Sequence, residues 1–153
     1  MPSPAAPDGD ALARQALADH TASSQRAAEC VIGHYSTSFG AATRLLTGPV
    51  RPRVRAFYAM VRVADEVVDG AAAGSGLEAH RIGEVLDDYE VRCEQAMAAG
   101  FSTDPVLHAF ATAARATGVG PAETRPFFAS MRADLSQDRH DAESFDACLL
   151  YTS

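Results

Sequence analysis

The stop signals of this chain fall at helix-length intervals, and nothing between them reads as a strand. Thr47-Gly48-Pro49 closes one segment, a small-residue loop from Gly70 to Gly76 closes the next, and Gly100 and Gly118 close two more before Gly120-Pro121 opens another. No run of β-branched residues alternates with polar ones, so strands lack support. The pattern predicts helices over about 10–32, 36–46, 52–69, 77–99, 103–117 and 121–137, with Pro52 acceptable in a first turn and Thr103 as a cap. Asp141 to Ser144 reads as a further helix start, with 145–151 as its first turns. There is no self-similarity at a period of 20–50 residues, so a solenoid is excluded. The fold class is all-α. Residues 1–9, rich in proline and small side chains, are expected to be a disordered lead-in. Residues 10–153 form one helical domain. A helix stopped within its first turns at Ser153 is expected of a fragment.

Composition narrows the function. The chain has 153 residues, which suits one domain with its own core. Its net charge of −7, with no basic tail, argues against a nucleic-acid partner. No apolar run reaches the roughly 18 residues of a membrane span, and no signal peptide is visible. Cys30, Cys93 and Cys148 are odd in number and form no close pair. They are expected to be reduced, in a cytoplasmic protein. The five histidines show no tight metal spacing.

The third helix is the informative one. At roughly 100° per residue, Tyr58, Arg62, Asp65 and Asp69 fall within an arc of about 60°. Phe57, Met60, Val61, Val63, Ala64, Val67 and Val68 cover most of the remaining surface, and Glu66 sits at the edge of the stripe. An ordinary amphipathic helix would place these charges in solvent. A helix apolar over most of its circumference is instead generally buried, and buried carboxylates need partners or metals. Carboxylates at i and i+4 project side by side, a spacing that suits a hard cation such as Mg²⁺ together with substrate phosphates. The narrow stripe predicts that Asp65 and Asp69 turn into a shared cavity.

Tyr58-x-x-x-Arg62-x-x-Asp65-Glu66-x-x-Asp69, preceded by Tyr35-Ser36-Thr37-Ser38-Phe39, resembles the N-terminal half of the squalene/phytoene synthase family. Phe127-Phe128-Ala-Ser-Met131-Arg-Ala-Asp134-Leu135 resembles the stretch that follows in bacterial phytoene synthases. The blocks come in family order and extend from about 34 to the last residue. The resemblance implies an all-α isoprenoid-synthase bundle around a central cavity, here truncated to its N-terminal half. It implies head-to-head condensation of two prenyl diphosphates, geranylgeranyl diphosphate in phytoene synthases, through a cyclopropyl diphosphate intermediate. Asp65 and Asp69 would then hold Mg²⁺, with Mn²⁺ as the alternative ion. Arg62 would hydrogen-bond the diphosphate, and Ser38 and Phe39 match a Ser-Phe pair at the substrate pocket. Tyr58 and Tyr151 match pocket tyrosines, Tyr151 the more weakly. The family's second aspartate motif has no counterpart here. Asp134 and Asp138 share the spacing, but they lie in a block that precedes that motif. Asp134 is expected to line the cavity and Asp138 to be solvated.

The remaining features have ordinary readings. Arg51, Arg53 and Arg55 are expected to be a solvated basic cluster, and Asp87, Asp88 and Glu90 an exposed face. His34 is expected to pack or cap. Two other functions compete with phytoene formation: a squalene-type synthase acting on farnesyl diphosphate, and a non-catalytic helical binding or assembly protein of the same fold. Peripheral association with a membrane, for release of a lipid product, is a further expectation.

Overall fold

The computed structural model describes residues 1, 5 and 8–151, except the side chains of 37, 39 and 138–151. Its elements are α1 (Gly9–Tyr35), α2 (Thr37–Thr43), α3 (Val50–Asp69), α4 (Ala71–Gly74), α5 (Ala79–Ala99), α6 (Pro105–Thr117) and α7 (Pro121–Tyr151). The described residues contain no strand. No helix among them is long and apolar enough to cross a membrane.

The helix ends follow local chemistry. Asp104 caps α6 by accepting from the amides of Val106 and Leu107, at 2.9 and 3.2 Å, and Pro105 follows it in the first turn. The cap is therefore Asp104 and not Thr103. Asp8 and Gly9, assigned by the sequence to the lead-in, are the cap and first residue of α1. Gly100 ends α5 at φ 71°, a left-handed conformation that glycine adopts without penalty. The loop at 70–76 contains the single turn of α4. The break expected between 137 and 141 does not occur. That stretch holds no glycine or proline, and α7 runs through it.

Helix α3 lies at the centre and packs against α1, α2, α5, α6 and α7. Ala28 of α1, Ala56 and Ala59 of α3, and Ala109 and Ala113 of α6 form one buried layer. Side chains this small let three backbones approach closely. On the other side, Met60, Ala64 and Val68 meet Leu86, Tyr89, Cys93 and Met97 of α5, Leu107 and Phe110 of α6, and Phe128 and Met131 of α7. The Tyr89 hydroxyl donates to the Met60 carbonyl at 3.2 Å, so a buried phenol is satisfied. Burial also keeps its proton in place, well above the usual tyrosine range.

Several charges expected in solvent are instead tied down. Arg51 donates from Nε to the carbonyls of Thr43 and Leu46, at 3.2 and 3.0 Å, and from Nη2 to that of Arg44 at 2.7 Å. It thereby serves the carbonyls left open at the end of α2. Arg55 pairs with Glu29 of α1 at 2.7 Å and donates to the Thr43 hydroxyl at 3.1 Å. Arg132 of α7 bridges Asp87 and Glu90 of α5, and the Glu90 side chain is only 13% exposed. The periodicity of single helices did not carry these cross-helix pairings.

Candidate functional site

Helix α3 presents Tyr58, Arg62, Asp65 and Asp69 along one face, as its period predicts. Tyr58 and Arg62 are half-buried. Asp65 is half-buried too, with its side chain 35% exposed, and Asp69 is exposed. The sequence predicted both carboxylates turned away from solvent. Asp69 lies instead at the solvent-reached end of the stripe, next to the C-terminus of α3. Asp134 of α7, also exposed, is close enough for its charge to act on Asp65.

These acids crowd one another. Burial raises the Asp65 carboxyl above the usual aspartate range; Arg62 opposes the rise, and Asp69, Glu66 and Asp134 add to it. An excess of negative charge of this kind is relieved by a cation. Asp65 and Asp69 supply hard carboxylate oxygens, and Mg²⁺ or Mn²⁺ fits that donor set. Among the described residues no group of three His, Cys, Asp or Glu side chains could hold a metal ion. The pair would therefore share the ion with water and phosphate oxygens, which is how Mg²⁺ is commonly held.

Arg62 is held from several sides. Its Nη2 donates to Glu66 Oε1 at 2.5 Å, and its Nη1 lies 3.8 Å from Asp65 Oδ2. Its Cζ stands 4.3 Å from the ring centroid of Tyr35, the last residue of α1. Its Nε is buried and has no hydrogen-bond partner among the described residues. Ser38 is exposed on α2. The side chains of Phe39 and Tyr151 lie outside the described residues, as does that of Asp138. Sequence reasoning missed Glu66 and Tyr35. The i,i+4 spacing from Arg62 to Glu66 was the available signal for the first.

Helix α3, at the centre of an all-α protein, thus carries an arginine and an aspartate pair on one polar stripe. The family model for squalene/phytoene synthase matches residues 32–153, and the chain belongs to that family. Its members condense prenyl diphosphates head-to-head, and the chain is a transferase of isoprenoid biosynthesis on that ground. No curated protein and no solved structure matches the chain significantly.

Proposed function

We propose that this chain carries the first diphosphate site of a Mg²⁺-dependent prenyltransferase that joins two geranylgeranyl diphosphates into phytoene. The observation that supports it most is the gathering of Arg62, Asp65 and Asp69 on one face of α3, within a family match that covers both the stripe and α7. Asp65 and Asp69 would hold the ion. When bound, Mg²⁺ neutralises diphosphate and makes it a competent leaving group. Arg62 binds phosphate oxygens, for which its planar fork is suited. Ser38, Phe39, Tyr58 and Tyr151 would border the prenyl chain, and aromatic faces stabilise an allylic cation. A cavity closed to water would protect that cation. Peripheral contact with a membrane would receive the lipid product.

The test is product analysis with geranylgeranyl and farnesyl diphosphate supplied separately with Mg²⁺, on this chain and on a longer form carrying a second aspartate pair. Phytoene from the longer form supports the reading. A squalene-type product from farnesyl diphosphate alone selects the other chain length. No condensation product from either substrate overturns it. These 153 residues hold one of the two aspartate motifs that the resemblance implies, so no turnover is expected from them alone. Turnover would refute the two-motif account of the chemistry.

A further inference from the structure

Arg62 is gripped by residues to which the proposed chemistry gives no part. Glu66 Oε1 accepts a hydrogen bond from its Nη2, and Glu66 Oε2 accepts from the Ala71 amide at 3.2 Å, at the start of α4. The carboxylate is therefore fixed at both oxygens. Gly70 leaves room for that carboxylate: a Cβ there would stand 2.7 Å from Glu66 Oε2. The Arg62 Cζ also stands over the Tyr35 ring, 4.3 Å from its centroid. We propose that Glu66 and Tyr35 are positioning residues that preset Arg62 for a diphosphate oxygen, with Gly70 leaving the space that Glu66 occupies.

This rests on the diphosphate reading given above. An arginine free on a helix surface must give up rotamer freedom when an anion arrives, and one already oriented gives up less. The stack and the Glu66 pair remove that freedom beforehand. Among the described residues Nε, which shares an edge of the fork with Nη2, has no partner, and it is shielded from solvent. Glu66 thus differs in duty from its neighbours Asp65 and Asp69. It is held by the cationic side chain and the backbone, whereas Asp65 approaches Arg62 only at 3.8 Å and Asp69 is exposed.

The experiment measures binding of inorganic pyrophosphate in Mg²⁺ to the 153-residue chain and to Glu66→Gln, Gly70→Ala, Tyr35→Phe, Tyr35→Leu and Arg62→Lys variants. Glu66→Gln, Gly70→Ala and Tyr35→Leu should each weaken binding by about tenfold at little cost in melting temperature, whereas Tyr35→Phe keeps the stack and the affinity. The Arg62 Nε–Hε resonance should be dispersed in the wild type and move toward the free-arginine position in Glu66→Gln and Gly70→Ala. Unchanged or tighter binding in both of those variants would overturn the proposal, since tighter binding would make Glu66 a competitor of the anion. Wild-type affinity that Arg62→Lys leaves unchanged, or no wild-type binding, would overturn the diphosphate reading itself. In that event the resonance decides alone: a signal that Glu66→Gln does not move shows that Glu66 does not hold Arg62.

Discussion

Asp65, the proposed metal ligand, sits where its charge is disfavoured. It is partly desolvated, and Asp69, Glu66 and Asp134 repel its charge, with Arg62 the opposing cation. Without a divalent ion the ionised carboxylate works against the folded state. Asp65→Asn should therefore raise the melting temperature in a chelator by about 1–2 °C at neutral pH, a figure kept small because the side chain is partly exposed. The same variant should lose Mg²⁺-dependent pyrophosphate binding. A lower melting temperature, by calorimetry at matched ionic strength, would show that Arg62 outweighs the acids. At this scale much was legible. A period of 3.6 residues places Arg62, Asp65 and Asp69 together whatever surrounds them, and the structure keeps them so. The pairing of Glu66 with Arg62 was open to sequence reading through their i,i+4 spacing, but its second anchor at the Ala71 amide was not, because that depends on the turn after α3. The duties of Arg51 and Arg55 depend on carbonyls and an acid contributed by α1, α2 and the α2–α3 connection, which no single-helix pattern contains.

Between elements, the most specific joint is the one that ties α1 to the loop before α6. His108 is fully buried and uses both ring nitrogens. Its Nδ1 accepts from the Ser102 amide at 3.1 Å, so the proton sits on Nε2, which donates to the Thr21 hydroxyl at 2.9 Å. The His20 ring lies 4.3 Å away, edge to face, and its Nε2 donates to the Ser102 carbonyl at 2.8 Å. Burial first, and His20 second, hold the His108 pKa below its ordinary value of 6.5. A proton on Nδ1 would also face the Ser102 N–H. The buried face of α3 carries no titratable group, and those on α5, Tyr89 and Cys93, stay neutral throughout this range. The unfolded chain therefore takes up this proton at higher pH than the folded one. The stability from His108 is full above about pH 6.5 and declines as pH falls below it, toward the folded pKa. The melting temperature should therefore fall between pH 7.5 and 5. His108→Asn should flatten that step, and an equal slope in both proteins would remove His108 as its source. Helix existence and order were legible from glycine, proline and the absence of alternation. The joint was not, since Thr21 and His108 meet only after α1 and α6 have packed.

For the whole molecule, α3 is both the floor of the candidate site and the centre of the core. Its polar stripe faces outward while its other faces are enclosed by α1, α5, α6 and α7. Phe110 of α6 meets Phe57 of α3 edge to face, with centroids 5.3 Å apart, and is 1% exposed. Phe110→Ala should cost about 3–5 kcal/mol, read as a shifted denaturant midpoint. A loss below about 1 kcal/mol would mean that the α3–α6 contact repacks freely. All-α architecture was readable from the chain because local signals agree along its length. The central place of α3 was not, since it emerges from which faces the other helices leave available. The alanine layer of α1, α3 and α6 has a consequence for how such a protein can change. The three helices meet there through alanines, with Val31, Phe57 and Val106 packed against the layer. An added methyl at Ala56, Ala59 or Ala109 would overpack that contact, and a shift of α3 in answer would carry Arg62 and Asp65 with it. The layer works as a gauge block for the site: its thickness is set by the smallest side chains, and the reach of the stripe can be altered from the far side of the molecule.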